Sequence, residues 1–151
     1  MIIDKKWLLC DATSIAGSAG SAGVGKALDL GATGKDGWGN SLTESPGEGG
    51  GGFGMYFNVQ INTVLAGASG SITVAIQSAA AVGSSSALTS GVTAGSVFFP
   101  ALAAAGQRRV ISVPMGGLAR YLRVLVTRGG ATTGAIDAWI GPPADTETAM
   151  K

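Results

Sequence analysis

The chain has 151 residues, with ten Lys or Arg against nine Asp or Glu, a net charge of +1 and no histidine. That balance excludes the basic footprint by which proteins attract nucleic acid, and it leaves no acidic tail to name a partner. Charged residues make up 13% of the chain, about half of the roughly 25% usual in soluble domains, so the sequence needs either a membrane segment or a large surface covered by other proteins.

In chain order, residues 1–6 read as an arm that begins apolar and turns charged at Asp4, Lys5 and Lys6, and Trp7 to Cys10 open a first strand. This N-terminus lacks the long apolar core and cleavage site of a signal peptide, which implies synthesis in a cytoplasm without export. Cys10 is the one cysteine. With no partner thiol and no histidine to lower its pKa, it reads as a small buried hydrophobe beside Leu8 and Leu9. From Ala16 to Gly25 the chain is Gly, Ser and Ala around a single Val24, which predicts a flexible loop, with a short strand over Val24 to Leu30.

A Gly-rich stretch, 31–54, follows and is too long for a hairpin turn, so it reads as a surface excursion. Trp38 within it either tucks back onto the domain or docks on a neighbouring subunit. The clearest element is Met55 to Leu65, where Phe57, Val59, Ile61 and Thr63 alternate with polar residues at the two-residue period of a half-buried strand. Further strands are predicted over 71–79, weakly over 87–93, then over 96–104, 108–114, 120–128 and 135–141, each bounded by Gly, Pro or Ser turns. The whole reads as one all-β domain, 1–151, a jelly roll or antiparallel β-sandwich with a long Gly-rich loop. Its apolar runs are too short to span a bilayer, and Pro100 breaks one of them. Burial in an assembly therefore explains the composition better than a membrane does.

Candidate chemistry is thin. Gly20 to Ala27, GSAGVGKA, nearly matches a phosphate-binding loop, but Ala27 lacks the hydroxyl needed for magnesium and no helix has room to follow. No histidine is present to serve a Ser-His-Asp arrangement. Asp29, Asp36, Glu44, Glu48 and Asp137 show no spacing that favours a carboxylate pair. Arg120, Arg123 and Arg128 lie on or beside one strand, Arg123 with the opposite parity to the other two, and they are read as a solvated face or as partners for acids on another protein. No cofactor or metal is implied.

VPMG at Val113 to Gly116 followed by RYLRV at Arg120 to Val124, with MIID at the start, FNVQINTVL, SITVAIQSA and the closing GAIDAWIG, resembles the capsid cement proteins of tailed bacteriophages. The likeness is to the type first described in a podovirus of Bordetella, and it covers most of the chain, although 31–54 is longer than that family suggests. It implies a non-enzymatic jelly roll on the outer surface of the virion. Such a protein would bind the major capsid protein, associate with copies of itself as a dimer or, alternatively, a trimer, and clamp neighbouring shell subunits against the pressure of packaged DNA. By position, the arm residues Met1, Ile2 and Ile3 with Trp7, together with Trp38, Arg120 and Arg123, are the candidates for those contacts. A carbohydrate-binding sandwich of a phage tail or spike is the rival reading, with Trp38, Tyr56 or Trp139 stacking on sugar rings.

Overall fold

The computed structural model describes residues 8–29, 34–35, 41–42, 56–83, 88–113 and 118–141. Its strands in chain order are β1 (Leu8–Ser14), β2 (Gly20–Asp29), β3 (Gly34–Lys35), β4 (Ser41–Leu42), β5 (Tyr56–Ala66), β6 (Ile72–Ala79), β7 (Ala81–Val82), β8 (Leu88–Thr89), β9 (Val92–Phe99), β10 (Arg108–Ser112), β11 (Tyr121–Arg128) and β12 (Thr133–Gly141). No helix occurs among the described residues, so none is long and apolar enough to cross a membrane.

The eight longer strands pair from the outside inward. β1 pairs with β12, β2 with β11, β5 with β10 and β6 with β9, every pair antiparallel. Two further antiparallel pairings, β12 with β5 and β11 with β6, gather these into two four-stranded sheets, β1-β12-β5-β10 and β2-β11-β6-β9. A long hairpin folded over on itself in this way is the jelly roll expected from the sequence, an all-β sandwich with no closed barrel.

Alternation decides which residues fill it. Phe57, Val59 and Ile61 of β5, Ile136, Ala138 and Ile140 of β12, Ile72, Val74 and Ile76 of β6, and Leu122, Val124 and Val126 of β11 are each at most 2% exposed and form the layer between the sheets. Each large apolar side chain so buried contributes about 1.5–3 kcal/mol. A slip of one residue in any of these strands would turn its whole apolar row to solvent, and that fixes the register.

Two expectations are corrected. The short strand read from Val24 onward is present but begins earlier, since Gly20 to Gly23, read as flexible loop, also belong to β2, which pairs along β11 from Gly20 opposite Arg128 to Asp29 opposite Tyr121. Its glycines answer to close neighbours: Gly25 sits at φ +69 in a bulge, where a Cβ would run into the Leu9 carbonyl and come within 2.7 Å of the Cys10 sulfur. The strand placed over 96–104 instead runs from Val92 to Phe99 and stops before Pro100. Residues after Pro100 form a turn, held by Ala103 N–H on the Pro100 carbonyl at 3.3 Å and Gly106 N–H on the Ile61 carbonyl at 2.8 Å.

The directions of the strands put four connections at one end of the sandwich: 15–19, 67–71, 100–107 and 129–132. The chain enters β1 at Leu8 and leaves β12 at Gly141 at the opposite end.

Candidate interaction surfaces

Of the residues singled out by sequence, Met1, Ile2, Ile3, Trp7 and Trp38 lie outside the described residues. The other two are on the β2-β11-β6-β9 sheet. Arg120 precedes β11 and grips Asp29 at the end of β2 with two parallel bonds, Nε to Oδ1 at 2.8 Å and Nη2 to Oδ2 at 2.9 Å. Its guanidinium also stands 5.0 Å from the centre of the Tyr121 ring. Hydrogen bonding to the Asp29 carboxylate, and then its charge, push the Arg120 pKa further up. An acid of this same chain thus occupies the guanidinium, so a partner meeting Arg120 meets a planar, near-neutral pair.

Arg123 projects from the outer face of β11 between Tyr121 and Leu125 and lies flat over β2. Its Nη2 donates to the Gly23 carbonyl at 3.3 Å, and a Cβ on Gly23 would come within 3.1 Å of its Cζ. Arg128 takes a different part. It turns across the sandwich end, donates from Nε to the Ser18 carbonyl at 2.8 Å and from Nη1 to the Ile15 carbonyl at 3.3 Å, and so ties the β1–β2 connection down. Strand parity separates Arg123 from Arg128, but it does not reveal that the latter is a brace.

The remaining polar groups are structural in their contacts. Asp137, on the outer face of the other sheet, accepts from the Ala12 N–H at 2.6 Å and from Asn62 Nδ2 at 2.9 Å, stitching a bulge of β1 to β5. Asp29 and Asp137 lie on different sheets and form no carboxylate pair. Cys10 is 1% exposed. Burial pushes its thiol up to about 11, so it stays protonated and unreactive at neutral pH. Among the described residues no three His, Cys, Asp or Glu side chains converge as metal ligands. Trp139 has the parity of the outer face yet is only 3% exposed, which removes it as a stacking platform for sugars.

What the fold does expose is an end whose loops are built without a charged residue. The loops IAGSA (15–19), GASGS (67–71), PALAAAGQ (100–107) and GGAT (129–132) contain no charged residue. Arg108, Arg109 and Arg128 belong to the strands beneath, but the Arg128 guanidinium reaches among the loops to the Ser18 and Ile15 carbonyls. Three of these loops are bonded together, and 100–107 is bonded along β5: Gly17 and Thr132 exchange two backbone bonds at 3.0 Å, Gly129 N–H reaches the Ser71 carbonyl at 2.9 Å, and the Thr132 hydroxyl donates to the Ala66 carbonyl at 3.0 Å. A shallow, open cleft of about 440 Å³ lies between Gly17, Ala66, Gly67, Ala131, Thr132 and Thr133. Beside it Leu102 stands 62% exposed at φ +61, and Val64 is 49% exposed. A leucine held in the left-handed region costs about 1–2 kcal/mol, and here it displays an apolar side chain to solvent.

No family model and no curated protein matches the chain. Among solved structures it is similar to one described as the crystal structure of PirA, at 12% identity over 87% of this chain and 94% of that one, with a TM-score of 0.46. At that distance the likeness carries no argument about function.

Proposed function

We propose that this chain is a structural protein of a bacteriophage head, a cement that sits on the outer surface of the capsid, bridges neighbouring major capsid subunits and catalyses nothing. The observation that carries the reading is the looped end, whose four connections contain no charged residue. Loops of small residues present Leu102 there, with Val64 exposed on the adjoining β5, and the Arg128 guanidinium that reaches among them is engaged by the Ser18 and Ile15 carbonyls; a largely apolar surface of that kind excludes water well when it meets another protein. The sequence likeness of VPMG, RYLRV and GAIDAWIG to phage cement proteins supplies the partner, the major capsid protein.

The arm, residues 1–6, precedes Leu8 at the other end of the sandwich. Strands of eight residues at about 3.3 Å each separate the two ends by roughly 26 Å. Two weak contact regions that far apart suit a bridge between subunits, since a symmetric shell repeats each contact many times and makes the weak contacts act together. The carbohydrate-binding alternative loses Trp139 as a platform; of its other two candidates Tyr56 is half-buried at the start of β5 and Trp38 lies outside the described residues.

The test is the copy number of this protein in gradient-purified particles, measured by quantitative mass spectrometry against the major capsid protein. A simple fraction set by shell symmetry is the expected result. A handful of copies would move the protein to the tail, and absence from particles would overturn the reading.

A further inference from the structure

We infer that the protein joins a second copy of itself along β9, edge to edge, to make one continuous sheet of eight strands. The inference adds to the capsid reading a specific self-contact that the reading does not require, and it is tested apart from any capsid.

A sandwich has four edge strands, here β1 and β10 in one sheet and β2 and β9 in the other. Edges are templates for strand addition unless charge, proline, a bulge or shortness blunts them. Three of the four are blunted. β1 has two register shifts and carries Asp11, with Ala12 at φ +43. β2 carries Lys26, Asp29 and the Gly25 bulge. β10 is five residues long and begins with Arg108 and Arg109.

β9 differs. It is eight residues long, VTAGSVFF, with no charge and no proline, and its one irregularity lies near its start, so Gly95 to Phe99 run in unbroken register with β6. Among the described residues nothing pairs with its free edge. Val92 and Phe98 are 69% and 57% exposed, two of the four large apolar side chains left open to solvent among the described residues.

The occupant follows from symmetry and charge. An antiparallel strand that pairs with itself does so about a two-fold axis, giving a closed, isologous dimer. An axis at Val97 sets Val97 opposite its own copy and leaves Ser96 and Phe98 diagonal to theirs, so a charge on this stretch would repel its own copy while the uncharged edge allows the pairing. Pairing Gly95 to Phe99 about Val97 sets Phe98 of one copy beside Ser96 of the other on the outer face, and so covers the exposed ring. A different protein adding a strand would need none of this self-complementarity.

The purified full-length chain is examined by sedimentation equilibrium. Wild type is expected at twice the 14.8 kDa chain mass. Ser96→Lys, which adds an edge charge diagonal to its own copy, should raise the dimer dissociation constant at least tenfold with an unchanged circular dichroism spectrum, while Leu102→Lys, at the looped end, should leave the dimer intact. Should Ser96→Lys fail to fold, hydrogen exchange on wild type gives the same answer: amides of 95–99 should gain protection as protein concentration rises. A monomeric wild type, a dimer indifferent to Ser96→Lys, or concentration-independent exchange in β9 would each overturn the seam. None of these touches the capsid reading, which stands or falls on particle copy number.

Discussion

Cys10 lies where the backbones of β1 and β2 approach most closely, 1% exposed, with Gly25 against its sulfur. Burial is the main reason its thiol is held at about 11 against an ordinary 9.0; the Asp137 charge adds to it, while Thr13 and Arg123 act the other way. A raised native pKa means that the neutral thiol stabilises the fold. That contribution is complete below pH 9, where the unfolded thiol is also protonated, and is lost as pH climbs from 9 toward 11. The loss amounts to about 2–3 kcal/mol, two pKa units at ~1.36 kcal/mol each. Urea unfolding at pH 8 and pH 10.5 should therefore show wild type losing more stability than Cys10→Ala over the same interval; equal losses would remove the thiol from the account. Its burial was legible from its apolar neighbours and the absence of histidine. The burial of Trp139 was not, because strand parity points it outward and only the folded chain reveals that it is covered.

Strands with side chains to alternate declared themselves, and β5, β6, β11 and β12 fall within two residues of the ranges read from sequence. β2 declared itself only from Val24 onward, since GSAG at its start has almost no side chains with which to show a period; the strand character of that half comes from β11, about a hundred residues away in sequence. β9 was displaced because the apolar turn after Pro100 imitates a strand in composition. Candidate contacts fared similarly: Arg120 was visible as a charge, but its Asp29 partner, joined through strand pairing, was not. Gly25 is the position where this hidden constraint is sharpest. Gly25→Ala forces a Cβ into the Leu9 carbonyl at φ +69 and should cost about 2–4 kcal/mol, from left-handed strain and overpacking together. For a chain of this size that is a fall in Tm of roughly 5–15 °C. An unchanged Tm would mean that β1 and β2 separate more easily than their geometry implies.

At the scale of the whole molecule, the two ends of the sandwich differ in kind, one closed by bonded, uncharged loops and the other admitting and releasing the chain. Leu102 tests the first of them. Leu102→Gly relieves the left-handed strain, and after the extra entropy of an unfolded glycine it should leave the protein about 0.5–1 kcal/mol more stable. The same change should weaken binding to particles several-fold, because the exposed anchor is gone. Stability and binding moving in the same direction would remove Leu102 from the contact. The nested pairing of first strand with last also has a mechanical consequence. Because Leu8 and Gly141 leave the sandwich side by side, tension between the two chain ends unzips β1 from β12 one hydrogen bond at a time. Tension between the arm and the looped end instead runs along the strands and loads those bonds all at once. A protein of this topology is weak when pulled by its two termini and strong when stretched lengthwise, which is the direction in which a swelling shell would strain a bridge across its surface.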